Sequence, residues 1–579
     1  MNMNSCMAAP ACGLGGLVGA ALAVGVLAGT AGAQLVVTSL ADGGVGTLRE
    51  AIAQAEASPG LDEILFGVSG EIVLTETLPI INEDLTIDAS GRVVTVSGGN
   101  AVRVFIVDGG DVIMRGFSIV DGAPESGSGG GIDHNAGTLT VEDMVFRGNT
   151  TTRVGAGIVS SSDAEMLTVR RCTFDDNSAI QSGALHIADT NALIEDSVFT
   201  NNTALFQFFS AAGLGGATAI FNSSVQIRNT VYDGNRSERT AGTISASNST
   251  VHLTDVEIRD SRSEDDGGAS QFVAGADITY TRCLLVGNSC DRGPGLMQVQ
   301  DIGTRVTIID SMIADNRTNG GGGAIAVPAG TLVVRGSTFF DNHARVDGGA
   351  INVNRVGGRL EMSNTTVSGN TAERSGGGIS IGADATAIID SSTIAFNTAQ
   401  NSGGGLNVSG SVVAPVELGN TIFAGNTAIG NPGAPDIIGS QITSLGFNLY
   451  ENPGPAVTVM TDLLGADADL QPLAENGGPA PTHGLGEASE AIDAGSTALE
   501  VDQRGLPRPF GAGVDIGAIE RTVIPDVDLA GPVETVDVFD VAAFLEIVRG
   551  NDVEAGDLTR DGEVTITDVR LFLRVVAGL

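Results

Sequence analysis

The sequence is poor in residue types that many enzymes and nucleic-acid-binding proteins depend on. It has no Trp, only 3 Tyr and 5 His among 579 residues, and no Lys, so all 29 basic residues are Arg. With 69 acidic residues, the formal net charge is -40. Phosphate backbones and anionic lipid surfaces would be repelled by this charge. The composition therefore disfavours nucleic acid and anionic membranes as partners, and makes cations, calcium above all, the natural counter-ions.

The motifs of common catalytic sites are also missing. No G-x-S-x-G nucleophile elbow, phosphate-binding loop or Cys/His pair is present, and no two His residues stand at a metal-binding spacing. Aromatic residues, whose ring faces usually stack on sugars in carbohydrate clefts, make up only 4% of the chain. These absences favour a non-catalytic protein.

Small and apolar residues are abundant instead, beginning with the leader. The first 41 residues carry no charged side chain, residues 13–29 are almost all small and apolar, and Ala31, Gly32 and Ala33 form a cleavage site before Gln34. This pattern predicts a secretory signal peptide over residues 1–33. No later run is long enough to cross a bilayer. We therefore expect a mature chain that is secreted or displayed at the cell surface and has no transmembrane segment.

An internal repeat organises most of the remaining chain. Asn recurs every 25 to 33 residues, with Ser261 in the one vacant position, and a Gly-rich run follows most of these positions. The repeated residues are Asn149, Asn177, Asn202, Asn235, Asn288, Asn316, Asn342, Asn370, Asn397 and Asn426. A fixed period of this length, with 82 Gly residues for tight turns, is typical of a stacked solenoid.

Residues ahead of each repeat Asn form regular columns. Three residues before it stands a large apolar residue, such as Phe146 or Ile394, and five residues before it a smaller one, such as Cys172 or Ser392. Because side chains alternate faces along a strand, both columns point inward. The residue just before Asn is Gly, Asp or Asn, except for Phe396, and these types tolerate positive φ. The pattern predicts a short strand, a sharp bend, and an inward Asn that hydrogen-bonds to the next coil.

A strand and a bend repeated at this period predict an all-β fold, the parallel β-helix. We expect the right hand, which parallel crossovers favour. A leucine-rich repeat would need a Leu-rich consensus and usually a shorter period. Near the start, Thr47 and Glu50 form a capping box, which predicts a short helix that caps the N-terminal end of the stack. The apolar stripe of that helix is Leu48, Ala51, Ile52 and Ala55.

The chain resembles bacterial β-helix surface proteins. "LVVTSLADGGVGTLREAIAQAE" is similar to their CSLREA-type N-terminal region, and the coils resemble those of polymorphic outer-membrane-type proteins. Residues 418–520, with "NGGPAPTHGL", "AIDAGS" and "DQRGLPRPFGAGVDIGAIE", resemble a choice-of-anchor segment. The resemblance implies surface display or secretion. It divides the chain into an N-terminal cap with the first coils at 34–100, β-helix repeats at 101–430, and an anchor-like C-terminal segment of the β-helix at 431–522.

The last residues, 523–579, have a different pattern. "DLTRDGEVTITD" has the spacing of an EF-hand-like calcium loop, with its turn glycine at Gly562. The predicted ligands are Asp557, Thr559, Asp561, Glu563, Thr565 and Asp568. A second copy lacks Asp and Gly at its middle positions, so calcium binding there stays open; its acidic residues are Asp528, Asp537 and Asp540. The paired units resemble a type I dockerin, a small α-helical module, and the resemblance implies calcium and a cohesin-like partner.

Two functions fit these observations. The first is an adhesin or binding scaffold that recognises a cell-surface glycan and is attached through the calcium-dependent tail. The second is a polysaccharide lyase or glycoside hydrolase recruited to a complex through the dockerin-like module. Flat faces lined by Thr, Ser and Gly would favour the first function. A cluster of acids with Arg in a surface groove would favour the second.

A few polar groups are candidates for a catalytic site, but each also has a structural explanation. The bend before Asn admits Asp. His134 is expected in a Gly-rich bend, His186 stands in the repeat sequence "ALHIAD", and His483 belongs to the anchor-like sequence "PTH". Catalytic residues therefore stay unassigned. The candidates are Asp315 with Asp341, Asp133 with His134, Arg170 with Arg171, and the single residues His186 and His483.

Two further expectations concern side chains in neighbouring coils. Cys172, Cys283 and Cys290, which follow the leader, are predicted to be buried, reduced and unpaired. Six residues before the repeat Asn, opposite charges alternate twice along the stack. These positions are Asp143, Arg171 and Asp196, and again Asp255, Arg282 and Asp310. On the outward parity of a strand, each Arg would lie between two carboxylates.

Overall fold

The computed structural model describes residues 32–522, except for 59, 206–214, 355–356, 411–414, 440, 453 and 455–457. Nearly all of the predicted signal peptide and the whole dockerin-like module lie outside the described residues. Within the described part, no helix is long and apolar enough to span a membrane.

The described chain is almost entirely β-structure and forms a right-handed parallel β-helix, which confirms the predicted fold class. A full coil has four strands, which we name a, b, c and d in chain order. In one coil these are Leu185–Ala188, Asn191–Glu195, Val198–Thr200 and Thr203–Ala204. Strands with the same letter pair in parallel and in register with those of the next coil, so each letter defines one face of the stack.

Faces a and b join into one 26-stranded sheet, because three long strands run through both faces. The long strands are Phe105–Arg115, Ile132–Glu142 and Ile158–Arg170. The other a strands are Leu185–Ala188, Thr218–Phe221, Ile244–Ser247, Ser270–Val273, Met297–Val299, Ile325–Val327, Ile351–Val353, Ile379–Ile381, Leu406–Val408 and Ile437–Ile438. The other b strands are Gln34–Val37, Asp62–Phe66, Leu85–Asp88, Asn191–Glu195, Ser224–Arg228, Thr250–Thr254, Asp277–Thr281, Arg305–Ile309, Gly330–Arg335, Gly358–Ser363, Thr386–Asp390, Val416–Gly419 and Ile442–Gly446.

Faces c and d are separate sheets of 16 and 11 strands. The c strands are Gly70–Val73, Val94–Ser97, Ser118–Val120, Val145–Arg147, Thr173–Asp175, Val198–Thr200, Val231–Asp233, Glu257–Arg259, Leu284–Val286, Met312–Ala314, Thr338–Phe340, Thr366–Ser368, Thr393–Ala395, Ile422–Ala424, Leu449–Tyr450 and Leu463–Leu464. The d strands are Thr150–Val154, Ser178–Gln181, Thr203–Ala204, Arg236–Ser237, Arg262–Ser263, Ser289–Cys290, Arg317–Thr318, His343–Ala344, Thr371–Ala372, Thr398–Ala399 and Thr427–Ala428. A separate antiparallel pair consists of Leu470–Ala474 and Thr482–Leu485.

Within the described ranges there is one α-helix, Leu48–Ala55, which lies beside the first b strands, as the capping box predicts. The Thr47 hydroxyl accepts a hydrogen bond from the Glu50 N–H, and the Glu50 carboxylate accepts one from the Gly46 N–H. The two side chains thereby satisfy free N–H groups at the helix start. The predicted apolar stripe is buried, which fixes the face that the helix turns toward the stack.

Both predicted inward columns are confirmed. Phe146, Phe174 and Phe199 stack face to face with the next aromatic ring at centroid distances of 4.6 to 4.7 Å, ending on Tyr232. Every residue of the large column is fully buried, and every residue of the smaller column is at most 3% exposed. Because the strands of successive coils stack in register, residues at equivalent positions of the repeat form one continuous core.

The Asn ladder is also confirmed. Wherever another repeat Asn follows, the Asn Nδ2 donates to its Oδ1, as between Asn149 and Asn177 at 2.9 Å and between Asn316 and Asn342 at 2.9 Å. At the end of the ladder, Asn426 Nδ2 donates to Asp436 Oδ1 at 3.0 Å. Each Oδ1 accepts in addition the backbone N–H of the preceding rung, as from Asn288 to Asn316 at 3.0 Å. Ser261 interrupts the series and bonds to Thr243 Oγ1 at 2.6 Å instead.

The three cysteines Cys172, Cys283 and Cys290 are buried and free, as predicted. Burial raises the pKa of Cys172 to about 12 and that of Cys283 to about 11. The thiolate form is therefore suppressed, which keeps these thiols unreactive.

Two left-handed bends, rather than the single one predicted, flank the c strand of each of the eleven repeats, from Val145–Arg147 to Ile422–Ala424. The residue before the repeat Asn has positive φ in every repeat, including Phe396 at 57°. The residue six positions before Asn also has positive φ, for example 53° at Asp143 and 50° at Arg171. The predicted charge alternation therefore stands in a bend and not on the outward parity of a strand, and that part of the prediction is wrong.

Because of this bend, each Arg of the alternation pairs in one direction. Arg171 donates two hydrogen bonds to Asp143, at 2.8 and 3.0 Å, and Arg282 donates two to Asp255, both at 2.8 Å. The contact with the preceding coil is confirmed. Among the described residues, neither Arg forms an ion pair within 4 Å with the Asp of the following coil. The hydrogen-bonded Asp143 and Asp255 raise the pKa of Arg171 and Arg282 most, and the charges of Asp196 and Asp310 in the following coils also raise it, so each Arg interacts with a carboxylate on both sides, but unequally.

A two-sided charge ladder exists one residue earlier, at the end of the b strands. Arg170 Nε lies 2.6 Å from Glu195 and Arg170 Nη1 lies 3.5 Å from Glu142, while Arg115 lies 3.5 Å from Asp88. Strand register lines up the alternating residues Asp88, Arg115, Glu142, Arg170, Glu195 and Arg228. Of these residues, Arg170 forms ion pairs with both neighbouring coils, while Arg115 pairs with the preceding coil.

After the last c strand, Leu463–Leu464, the chain returns along face c; we call residues 465–522 the fold-back segment. Thr338 donates to the Pro481 carbonyl at 2.6 Å, Thr366 donates to Gln503 at 2.7 Å, and Asn420 donates to the Asp515 carbonyl at 3.1 Å. The outward residues of the c strands under this segment are buried, whereas those of earlier coils are partly exposed. The anchor-like words thus form a layer over the stack rather than further coils.

Candidate functional site

A groove of about 840 Å³ runs along the helix axis on face a, between the coils of Ser270–Val273 and Ile379–Ile381. Its floor has two columns of outward side chains. Gln298, Ala326 and Asn352 pair in register on adjacent strands and form the first column. The second column stands two residues further along the chain and consists of Gln300, Pro328 and Asn354. In both columns, an amide side chain is followed in the next coil by a small apolar residue, and in the coil after that by a second amide.

Turns on either side of the a strands form the two walls. Asp266 and Arg292 precede their strands and line one wall. Asp301, Ala329 and Asp384 follow their strands and line the other wall. Because all strands run in the same direction, residues before and after them lie at opposite edges of the face. Carboxylates consequently stand on both sides of the groove.

Several of these polar groups are held in place by neighbours. Gln298 Nε2 donates to Asp266 Oδ1 at 3.1 Å, and Gln298 Oε1 accepts from Gln271 Nε2 at 3.0 Å. Asp301 Oδ2 accepts the Ala274 N–H at 3.1 Å. Arg292 Nη1 lies 2.6 Å from the carboxylate of Asp265, so its positive charge is already paired.

Among the described residues, the amides of Gln300, Asn352 and Asn354 have no side-chain hydrogen-bond partner, and of these three Asn352 is the one that is buried, at 6% exposed. Gly321 makes room for this side chain, since a Cβ at Gly321 would collide with Asn352 Nδ2. A buried amide with open donors and acceptors inside a groove is available to a bound molecule.

The candidate residues from the sequence lie elsewhere. Asp315 and Asp341 occupy exposed bends between c and d strands, with φ of 54° and 55°. Burial and then the charge of Asp315 raise the pKa of Asp341. Arg170 and Arg171 are paired with carboxylates as described above. These four residues stabilise bends and register, and they do not line the groove.

The histidine candidates have structural contacts. His134 does not lie in a bend, as the sequence suggested, but in the long strand Ile132–Glu142, where it points into the core. Its Nδ1 lies 2.9 Å from Ser160 Oγ, and burial lowers its pKa to about 4. Its neighbour Asp133 points outward and pairs with Arg103 at 3.1 Å.

The other two histidines also have local partners. His186 Nδ1 lies 3.1 Å from Ser182 Oγ, and burial lowers the pKa of His186 to about 4. His483 joins the fold-back segment to face c, with Nε2 at 2.8 Å from Ser368 Oγ. Neither ring lines the groove.

The predicted calcium ligands lie outside the described residues. Within the described part of the chain, no group of three or more His, Cys, Asp or Glu residues could hold a metal ion. The structure therefore says nothing about the predicted loops, and calcium binding there stays a prediction.

Sequence analysis missed the groove residues. They stand in the words "MQVQ", "IAVP" and "INVN", which occupy equivalent positions in three successive coils. The sequence signal that could have indicated them is a pair of amide residues, two residues apart and therefore on the same face, in "MQVQ" and again in "INVN". Only the three-dimensional alignment of the flanking turns shows that Asp266, Asp301 and Asp384 border the same columns.

Comparison with known proteins gives few matches. No family model matches the sequence, and no curated protein matches it. Among solved structures, the chain is similar to a PL6 alginate lyase in complex with trisaccharide, with 12% identity, 82% of this chain and 95% of that chain covered, and a TM-score of 0.37.

Two further solved structures are similar at the same level. One is the alginate lyase AlyF-OU02 in complex with G6, with 14% identity, 85% and 97% coverage, and a TM-score of 0.35. The other is the pectate lyase Pel9A, with 13% identity, 85% and 96% coverage, and a TM-score of 0.25. At these values the similarity extends to the general parallel β-solenoid fold and no further. The CSLREA-type, choice-of-anchor and dockerin resemblances stay predictions.

Proposed function

We propose that this protein is an exported enzyme that degrades polysaccharide and binds the chain lengthwise in the groove of face a. One observation carries the proposal. Three carboxylates, Asp266, Asp301 and Asp384, together with Arg292, line one concave groove whose floor presents amides. Acids with Arg in a groove favour the enzyme over the adhesin, for which a flat face would be expected.

The positions of the carboxylates suit cleavage of a glycosidic bond. In most glycoside hydrolases one carboxylic acid protonates the leaving oxygen while a second carboxylate activates water or attacks the sugar. Asp266 and Asp301 stand on opposite walls in adjacent coils, so a chain along the axis passes between them. We assign these two residues as the catalytic pair.

Arg292 supports lyase chemistry as the second candidate. An Arg beside a uronate sugar can act as the base of a β-elimination, which leaves an unsaturated product. Its pairing with Asp265 lowers its availability for this role. Absorbance of the products in the ultraviolet separates elimination from hydrolysis.

The tail belongs to the same proposal. The loop with Asp557, Asp561 and Asp568 would bind calcium and order the module at 523–579, which would attach the enzyme to a cohesin-like partner outside the cell. The spacing of the loop and the leader at 1–33 support this part.

The test is a screen of the purified mature chain against plant and algal polysaccharides, with release of reducing ends as the readout. Asp266→Asn and Asp301→Asn should each lower kcat about a hundredfold or more. Asp189→Asn is the matched control, because Asp189 occupies the same left-handed turn after an a strand, outside the groove. Release of no product from any polymer, or full activity in both groove variants, would refute the proposal.

A further inference from the structure

We infer that the groove takes an uncharged polysaccharide, one ring of which lies over a patch formed by Ala326, Pro328 and Ala329. The inference rests on the proposed function and specifies its substrate class. Charge, the pattern of the groove floor and the free amide of Asn352 each support it.

The charge of the groove disfavours an acidic chain. Its described lining has three carboxylates and one Arg, and that Arg is paired with Asp265 at 2.6 Å. The whole molecule adds a net charge of -40. A uronate polymer would bring a further negative charge on each sugar into this field, whereas the hydroxyl groups of a neutral polymer carry none.

On the floor of the groove, an apolar patch in the middle coil lies between amide side chains of the coil before it and of the coil after it. Ala326 and Pro328 belong to the middle coil, Gln298 and Gln300 to the coil before it, and Asn352 and Asn354 to the coil after it. Adjacent coils are roughly 4.8 Å apart. The C–H face of one sugar ring would cover the apolar patch, while hydroxyl groups at either end of the ring would reach the amides. This patch takes the place of the aromatic platform that the sequence lacks.

The amide of Asn352 supplies the strongest reason for a hydroxyl-bearing ligand. It is 6% exposed and has no hydrogen-bond partner among the described residues. The side chain lines the groove, where a ligand hydroxyl can donate to Oδ1 and accept from Nδ2. Gly321 leaves the space that the amide occupies, since a Cβ there would collide with Asn352 Nδ2.

A neutral substrate also selects the reaction. A neutral sugar has no carboxylate beside C5 to acidify the proton that β-elimination must remove, so hydrolysis is the open route. Water adds across the glycosidic bond. The bond from the anomeric carbon to the bridging oxygen breaks, the anomeric carbon gains hydroxyl from water, and the bridging oxygen gains a proton.

The first test compares polymers of the two classes, using the full mature chain without added calcium. We expect reducing ends, without ultraviolet-absorbing product, from one or more of cellulose, mannan, xylan and laminarin. Cleavage of alginate or polygalacturonate alone would overturn the inference and leave the proposed function standing. No product from any of these polymers would refute the proposed function and the inference together.

The second test measures binding of a soluble oligosaccharide of the cleaved polymer to the inactive Asp301→Asn chain by calorimetry. Adding Asn352→Ala should weaken binding by roughly tenfold. Adding Ala326→Gln should weaken it similarly, because it covers the apolar patch; Gln271 and Gln298 show that this column accepts Gln. Asn407→Ala is the control, since Asn407 stands in the same column outside the groove. Unchanged affinity in both groove variants would overturn the inference.

Discussion

The bend residues explain how each coil turns within a few residues. Positive φ recurs at both ends of the c strand in each of the eleven repeats, mostly at Asp, Asn and Gly, which tolerate it at low cost. Phe396 is the bulky apolar exception with φ of 57°, and its ring lies 5.1 Å from that of His483 in the fold-back segment. A bulky residue is accepted in this bend because the segment that covers face c packs against it.

The Asn ladder gives the first prediction at this scale. Asn316 donates to the Leu285 carbonyl, the Ala314 carbonyl and Asn342, and it accepts from Asn288. Asn316→Ala leaves several buried groups without partners and should lower the free energy of unfolding by about 3 kcal/mol. Denaturant unfolding measures it. Asn319→Ala, at an exposed position nearby, should change it by less than about 0.5 kcal/mol. Equal effects of the two substitutions would contradict a structural role for the ladder.

Asp515 gives a pH-dependent prediction. Burial raises its pKa to about 7, although its oxygens accept the N–H groups of Asp493 and Arg521. A carboxyl with a raised pKa in the folded state stabilises most at low pH, and this contribution is lost as the pH rises through about 7. Asp515→Asn should therefore flatten the change in Tm between acidic and slightly alkaline pH. The exposed control Asp277→Asn should retain the wild-type slope; an unchanged slope in Asp515→Asn would contradict the assignment.

At the scale of elements, register decides which charges meet. The alternation in the sequence predicted a ladder at Arg171 and Arg282, but in the bend those side chains hydrogen-bond to the preceding coil and interact with the following coil only through charge. The two-sided ladder stands at the neighbouring position, where Arg170 ends a b strand. Sequence spacing located this region correctly. It missed the position by one residue because the first bend was not recognised.

This ladder predicts different effects for two adjacent arginines. Arg170→Met removes contacts with Glu142 and Glu195, of which Glu142 keeps a 4.0 Å contact with Arg171, so it should lower the free energy of unfolding by roughly 1 kcal/mol. Arg171→Met removes an exposed pair with Asp143 and that longer contact with Glu142, and should have a smaller effect. Unfolding in urea at low and at high NaCl measures both. The Arg170 effect should shrink at high salt, and an equal or larger loss in Arg171→Met would contradict the ladder.

The fold-back segment is a second element whose structure differs from the one that the sequence resemblance implies. Its words resemble a C-terminal part of a β-helix, yet after Leu463–Leu464 the chain returns over face c. Inside this segment Arg508 and Glu520 form a fully buried ion pair at 2.6 Å. Because the segment covers outward residues of four c strands, it shields the late coils on that face, while the groove on face a stays open.

At the scale of the whole molecule, the net charge of -40 sets the conditions under which specific calcium binding can be seen. Calorimetry of the full mature chain at physiological salt should show one strong site, or two unequal ones, above weak surface binding. Asp557→Ala should remove the strong site, and Asp528→Ala should affect only the weaker one. Absence of any strong site in the unsubstituted chain would end the dockerin interpretation.

The sequence by itself determined the stack. Several features could be predicted from it: the repeat period, the inward columns, the bend before Asn, the Asn ladder, the unpaired cysteines and the capped helix. In-register stacking is the reason for most of them, because it brings residues at equivalent positions of successive repeats into contact. The groove and the fold-back segment could not. Asp266 and Asp384 line one groove although 118 residues separate them, and Gln503 reaches the Ser337 carbonyl across 166 residues. Such contacts depend on how the turns beside each strand project and on where the chain reverses after its last coil, and no local spacing encodes either. For that reason the tertiary structure alone decided which acids meet in a groove and which face stays open to a ligand.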